Sequence, residues 1–205
     1  MTLSTRLPGA AAGLALVREF HGGRGIADAV AITGWQEATH NRLALGLPFI
    51  TNETDCSVMA AFSPNQTRTL PNVARKLGMS EQQLGRRISP LISGGYIEKS
   101  GSGYRRAHGF DPVGRAYALE AKVNDWRQGI SQALRYSTWC DAAAVVLLKD
   151  PRNLTEVKSR CSQLGLGLAA EGRWAVRPRI GRPHPGLRLA ASEKFVQQIS
   201  ELDSL

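Results

Sequence analysis

The chain has 205 residues, a formal net charge of +9 and 42% hydrophobic residues. That apolar share excludes a disordered chain, and no apolar run reaches the roughly 18 residues that a transmembrane helix needs. The strongly basic balance favours a polyanionic partner such as nucleic acid. Cys56, Cys140 and Cys161 form no CxxC pair, which argues against a zinc site and is typical of reduced thiols in the cytoplasm.

The basic charge is concentrated in two blocks. Residues 56–109 carry eight Lys or Arg against Glu81 and Glu98, and residues 173–189 carry five Arg and no acidic residue. Two basic blocks on an otherwise balanced chain predict two DNA-facing surfaces.

The N-terminal part predicts a helix followed by a strand. The helix covers about residues 9–20, and the apolar run 26–33 reads as a strand. The run 7–17 is interpreted as part of the helix rather than a signal-peptide core, because it leads directly into charged residues. Residues 35–55 are open to either helix or extended structure.

Residues 56–109 predict three helices and a hairpin. Thr69 and Ser80 are suited to cap helices, and Gln83 completes a capping box with Ser80. Gly101-Ser102-Gly103 is a hairpin turn signal. The predicted elements are helices over 58–62, 70–77 and 80–93, and strands over 96–100 and 104–107.

After Pro112, strands alternate with helices, which is typical of a mixed α/β domain. The predicted strands are 115–123, 142–148, 166–170 and 174–176, and the predicted helices are 125–139, 153–164 and 192–202. The sequence therefore predicts an α/β core interrupted by the helix–hairpin segment. Its first part is 1–55, the inserted domain is 56–109, and the second part is 110–205, with a basic C-terminal arm.

The inserted segment, RTLPNVARKLGMSEQQLGRRISPLISGGYIEKSGSGYRRA, resembles MarR-like winged helix-turn-helix regulators. The resemblance implies a recognition helix over 80–93 that enters the major groove and a wing that contacts DNA phosphates or the minor groove. An alternative is that these charges form a solvated face and that the domain docks protein. The residues expected to contact DNA are Gln82, Gln83, Arg86 and Arg87 on the helix and Lys99, Arg105 and Arg106 on the wing.

Glu120 and Lys122 form an acid-x-Lys pair on a predicted strand, where a period of two places both on one face. Burying charge is costly unless it is paired or binds metal. Asp28 on a neighbouring strand would supply a second carboxylate, and two carboxylates attract Mg²⁺. Lys122 would then orient a metal-activated water and stabilise developing charge, so these parts suit hydrolysis of a phosphodiester.

This pattern resembles the RecB-like branch of the PD-(D/E)XK nucleases, whose fold is a mixed-sheet, restriction-endonuclease-like α/β core. One departure is Ala27, which stands where many members have Pro. The resemblance implies these roles: Asp28 and Glu120 as catalytic metal ligands, Lys122 and Gln132 as catalytic residues, Tyr136 of a QxxxY-like helix as a DNA contact, and Glu19 on the preceding helix as an extra metal ligand.

Each of these residues also has a structural interpretation. Glu120 and Lys122 could form a structural ion pair, Asp28 could cap a turn, and Gln132 and Tyr136 could be ordinary helix surface. A second acid-x-Lys, Glu156-Val157-Lys158, is interpreted as a solvated helix face.

The leading functional hypothesis is a cytoplasmic, Mg²⁺-dependent endonuclease, able to use Mn²⁺, that acts on double-stranded DNA in restriction, phage defence or repair. Symmetric cutting of both strands needs a second copy, which favours a homodimer. The alternatives are a winged-helix transcriptional regulator with a non-catalytic nuclease-like domain and a DNA-binding accessory subunit.

Overall fold

The computed structural model describes residues 6–202 and confirms a mixed α/β protein. The described strands are β1 (Leu14–His21), β2 (Ile26–Thr33), β3 (Ile97–Ser100), β4 (Gly103–Arg106), β5 (Arg115–Lys122), β6 (Ala142–Leu147), β7 (Gly167–Ala170) and β8 (Arg173–Val176). The described helices are α1 (Gln36–Ala44), α2 (Glu53–Ala61), α3 (Leu70–Leu77), α4 (Glu81–Ser93), α5 (Trp126–Tyr136), α6 (Leu154–Leu164) and α7 (Pro185–Leu202). Across residues 6–202, the helices lack the length and apolar character needed to cross a bilayer.

The chain divides into two compact units. The first, called here the sheet unit, combines the chain up to residue 37 with residues 113–184. The second, the helix–hairpin unit, combines residues 38–112 with the C-terminal helix α7. The sheet unit is therefore built from two segments that residues 38–112 separate in the sequence.

The sheet unit carries a six-stranded mixed sheet in the order β1-β2-β5-β6-β7-β8. Strands β5, β6 and β7 are parallel, and the remaining pairings are antiparallel. Helix α5 connects β5 to β6 and packs on both. Gly129 permits this close packing, because a Cβ there would lie 2.9 Å from Val145 Cγ1 and 3.2 Å from Lys122 Cγ.

The helix–hairpin unit surrounds its own apolar core, to which α2, α3, α4 and the β3–β4 hairpin contribute. The predicted capping box is confirmed: Gln83 N donates to Ser80 Oγ at 3.2 Å, and Ser80 N donates to Gln83 Oε1 at 2.9 Å. Gly78 ends α3 at φ 64°, in the left-handed region that favours glycine. Buried residues of this core include Cys56, Val58, Met59, Phe62, Val73, Leu84, Ile88, Leu91 and Leu189.

A buried arginine ties α7 to the start of the helix–hairpin unit. Arg42 of α1 donates to both carboxylate oxygens of Glu193, at 2.7 and 2.8 Å, and to the carbonyls of Leu47 and Pro48. Glu193 Oε2 also accepts from Ile50 N at 3.0 Å. Arg42 and Glu193 are each only 2% exposed, so their charges are satisfied inside the unit.

The predicted helix over 9–20 is wrong. The structure has one short 3-10 turn, Ala10–Ala12, and then strand β1, which pairs antiparallel with β2 from Leu14↔Thr33 to His21↔Ile26. Gly13, at φ 106°, breaks the apolar run that suggested a helix. Pairing with β2 then decides the conformation of an ambiguous segment, and Glu19 lies on a strand.

The two compact units also differ from the predicted division at 55/56 and 109/110. Residues 38–55 and α7 belong with the helix–hairpin unit. Helix α7 begins at Pro185 rather than near Ser192. Proline suits this first position, because the N–H groups of the first helical turn have no partner within the helix. The predicted basic arm is accordingly limited to the stretch before this helix.

Candidate active site and candidate nucleic-acid interface

Strands β2 and β5 bring Asp28 and Glu120 to adjacent positions. The antiparallel register ends at Ala29↔Leu119, so Asp28 and Glu120 are the next residues on each strand. Directly opposite residues on an antiparallel pair share one face of the sheet. The 38–112 segment thus leaves the two acidic strands hydrogen-bonded neighbours, as the nuclease hypothesis requires.

Glu120 lies at the centre of the candidate active site. Its side chain is 1% exposed, and Lys122 Nζ donates to Oε1 at 2.5 Å. The Lys122 side chain is 20% exposed, so the ion pair has one buried partner and one partner that reaches solvent. The predicted placement of these two residues on one face is confirmed by this contact.

Tyr136 supplies a second contact to the same carboxylate from α5. Its hydroxyl lies 2.7 Å from Glu120 Oε2 and 2.6 Å from the carbonyl oxygen of Ile26. Burial raises the pKa of Tyr136, and the hydrogen bond to Glu120 and the negative charges of Glu120 and Asp28 raise it further. The hydroxyl therefore keeps its single proton, which it donates to one of the two oxygens at a time.

The expected DNA contact by Tyr136 is not compatible with this position. The side chain is 1% exposed, and its ring packs 5.8 Å from that of Trp139, which in turn lies 5.5 Å from Phe20. Aromatic packing and the hydrogen bond to Glu120 both point Tyr136 inward. It is a positioning residue for Glu120 rather than a DNA ligand.

Gln132 precedes Tyr136 by one helical turn on the sheet-facing side of α5. This face also carries Gly129, which lies next to the Lys122 stem. Gln132 Oε1 is buried and accepts no hydrogen bond from any residue that the structure describes. A buried oxygen without a donor costs about 1–3 kcal/mol and is uncommon in folded proteins, so Gln132 is a candidate oxygen ligand.

Asp28 is exposed, and its Oδ2 accepts a hydrogen bond from Ala121 N at 2.7 Å. Beyond the last regular pair of β2 and β5, the carboxylate thus satisfies a backbone donor of β5. This contact agrees in part with the structural interpretation of Asp28 as a capping residue. It holds the Asp28 carboxylate at the β5 residue that follows Glu120, and the other carboxylate oxygen forms no hydrogen bond or ion pair with another residue between 6 and 202.

Glu19 lies across from Asp28 on β1, since the flanking pairs are Arg18↔Ala29 and Phe20↔Ala27. Its φ of 50° is in the left-handed region, which costs a non-glycine residue about 1–3 kcal/mol. Glu19, Asp28 and Glu120 thus occupy consecutive positions across β1, β2 and β5. Within residues 6–202, however, no three Asp, Glu, His or Cys side chains converge as a metal-binding group.

Sequence reasoning missed the residues that support the site from behind. Gly129 allows α5 to approach Lys122 closely, and Trp139 packs against the ring of Tyr136. A glycine inside a helical pattern is a signal that another element approaches closely. The Ile26 carbonyl, which competes for the Tyr136 proton, has no counterpart in the sequence pattern.

The candidate nucleic-acid interface is the exposed side of α4 and the β3–β4 hairpin. Gln82, Arg86 and Arg87 are exposed on α4, and Arg87 lies 3.4 Å from the carboxylate of Asp55. Gln83 is also exposed, but its side chain caps the helix through Ser80 N. The four helical residues therefore differ in how available they are to a ligand.

The hairpin contributes fewer free cations than predicted. Lys99 is exposed, whereas Arg105 pairs with Glu98 at 2.9 Å. Arg106 is 7% exposed and pairs with Asp111, and burial lowers its pKa. The prediction that Arg106 contacts DNA is therefore wrong, because its side chain is almost fully buried and already paired with Asp111.

The arginine-rich stretch 173–189 does not form one basic surface. Arg188 is 4% exposed on α7, within the helix–hairpin unit. The remaining arginines are exposed on the sheet unit: Arg173 on β8 and Arg177, Arg179 and Arg182 in the segment that follows it. Burial of Arg188 removes it from any DNA-facing surface.

The chain matches no protein-family model, no curated protein and no solved structure. The two family resemblances accordingly stay predictions. What bears on function is the local geometry around Glu120 and on α4.

Proposed function

We propose that the protein is a Mg²⁺-dependent DNA endonuclease in which a PD-(D/E)XK nuclease-like core carries an inserted winged helix-turn-helix domain. The observation that carries the proposal is the buried Glu120 carboxylate, held by Lys122 and Tyr136, next to Asp28 on the adjoining strand. An acid-x-Lys pair beside a second carboxylate contains the groups that phosphodiester hydrolysis needs.

Glu120 and Asp28 are the residues that would hold the metal, and the unpartnered Gln132 Oε1 adds a neutral oxygen on the same side of α5. Carboxylate and amide oxygens are hard ligands suited to Mg²⁺ or Mn²⁺. When bound, the ion supplies a water of lowered pKa and neutralises phosphate charge. Lys122 orients the attacking water and stabilises the charge on the phosphate, and Tyr136 fixes the Glu120 carboxylate.

Duplex DNA is the proposed substrate because α3, α4 and the hairpin expose five cations, Arg75, Lys76, Arg86, Arg87 and Lys99, against the two exposed acids Glu81 and Glu98. Each phosphate neutralised by such a cation contributes to a steep salt dependence of binding. A cytoplasmic role in restriction, phage defence or repair, with a homodimer cutting both strands, belongs to this proposal.

Cleavage of plasmid and phage DNA by the purified protein in Mg²⁺ and in Mn²⁺ tests the proposal. Glu120→Gln and Lys122→Ala are expected to lower the cleavage rate by about 100-fold or more. Glu156→Gln and Lys158→Ala are matched controls, because this second acid-x-Lys lies exposed on α6, and they are expected to cleave like the wild type. Equal cleavage by all four variants would refute the proposed active site.

A second candidate function is a winged-helix transcriptional regulator on a non-catalytic scaffold. It is favoured by the engagement of both Glu120 oxygens with protein groups, Lys122 Nζ and the Tyr136 hydroxyl. Duplex binding without cleavage in either metal, together with no Mg²⁺ binding by calorimetry, would refute the nuclease and favour this second function over it.

A further inference from the structure

Helix α4 presents a narrow polar stripe to solvent. Leu84, Ile88 and Leu91 are buried in the core of the helix–hairpin unit. Gln82 and Arg86, four residues apart, are exposed on the other side. Residues with this spacing lie one above the other on a helix, so their side chains can reach the same groove of a duplex.

The two neighbours of this stripe are engaged elsewhere. Gln83 holds the N-terminus of α4 through its side-chain oxygen, and Arg87 faces the Asp55 carboxylate at 3.4 Å. Asp55 offsets the charge of Arg87 and would repel a nucleic acid brought against it. Arg86 forms no ion pair with any residue in the described part of the chain.

We propose that Gln82 and Arg86 are the specificity-determining residues of α4, an inference that rests on the proposed binding of duplex DNA. Gln pairs in bidentate fashion with adenine N6 and N7, and Arg with guanine O6 and N7, in the major groove. The preferred site therefore contains an A·T pair and a nearby G·C pair.

The test is selection of bound duplexes from a random pool by the full-length protein in EDTA, which separates binding from metal-dependent cleavage. Competition binding at one fixed salt concentration then measures each variant. Arg86→Ala is expected to lose the preference for the G·C pair by roughly 5- to 150-fold, and Gln82→Ala the preference for the A·T pair by a similar factor.

Arg87→Ala is the matched control, because it removes the same charge from the adjacent exposed position. Arg87→Ala is expected to lower the affinity for all duplexes alike and to leave the selected motif unchanged. Gln83→Ala is expected to leave the motif unchanged and to lower the thermal stability of the protein. Loss of base preference in Arg87→Ala, or an unchanged motif in Arg86→Ala and Gln82→Ala, would overturn the inference.

Binding of duplex DNA and base preference are tested separately by the wild-type protein. A wild-type protein that binds duplex DNA without any base preference overturns the specificity assignment and leaves the proposed DNA binding in place. A wild-type protein that binds no duplex overturns the proposed DNA binding and the specificity assignment together.

Discussion

Replacing Tyr136 with phenylalanine isolates the contact that fixes the Glu120 carboxylate. The ring keeps its packing against Trp139, and only the hydroxyl is lost. That hydroxyl lies within 2.7 Å of Glu120 Oε2 and 2.6 Å of the Ile26 carbonyl. Because it has one proton, the substitution removes one donated hydrogen bond rather than two.

The expected loss of unfolding free energy follows from the acceptor. A hydrogen bond to a charged group contributes about 1.5–3 kcal/mol, and one between neutral groups about 0.5–1.5 kcal/mol. We therefore expect Tyr136→Phe to destabilise the protein by about 2 kcal/mol. Two independent bonds would instead give about 3–4 kcal/mol. Cleavage is expected to fall and not to vanish, since Lys122 still holds the other oxygen of Glu120.

Urea unfolding followed by circular dichroism measures this difference. Tyr96→Phe is the control, because the Tyr96 hydroxyl donates to a neutral carbonyl, that of Pro48, at 3.2 Å. The control is expected to lose about 1 kcal/mol or less. If Tyr136→Phe costs no more than Tyr96→Phe, the Tyr136 hydroxyl does not donate to an ionised Glu120, and Tyr136 is not a positioning residue for that carboxylate.

Three further predictions concern packing and ionisation. Arg42→Met leaves the buried Glu193 carboxylate without its ion-pair partner and is expected to lower the free energy of unfolding in urea by about 3–5 kcal/mol. Arg42→Met combined with Glu193→Leu should lower it by less. Burial raises the pKa of Cys56 from 9.0 to about 12. The protonated thiol therefore contributes its full stabilisation of the folded state below pH 9, and this stabilisation declines as the pH rises toward 12. Cys56→Ala should flatten that alkaline decline in a pH series of unfolding curves. Gly129→Ala should lower the thermal unfolding temperature despite its better helix propensity, because its Cβ would lie 2.9 Å from Val145 Cγ1.

Where local patterns are strong, the sequence predicts the elements of this fold closely. The strand 26–33 and the helix 70–77 have the predicted bounds. Both segments combine a clear apolar pattern with terminal signals, such as the glycine that ends α3. The capping box of α4 is confirmed for the same reason, since its two partners lie only three residues apart.

The errors arise where distant residues decide the outcome. Strand β1 depends on pairing with β2, so its own apolar run could not distinguish a helix from a strand. Assignment of α7 to the helix–hairpin unit depends on Arg42 and Glu193, which are 151 residues apart in the sequence. Burial of Arg106 beside Asp111 likewise cannot be read from the run of basic residues in the hairpin.

The nuclease proposal draws support from the energetics of the Glu120 region. Desolvation offsets much of the attraction in a buried ion pair, so the Glu120–Lys122 contact is weak grounds for stability alone. The left-handed backbone of Glu19 and the unpartnered oxygen of Gln132 each carry a further cost. Sites that break several rules of stable packing are typically those where binding or catalysis provides the compensation. These costs lie along one row of the sheet and the helix packed on it, where the nuclease proposal requires a charged, pre-organised site.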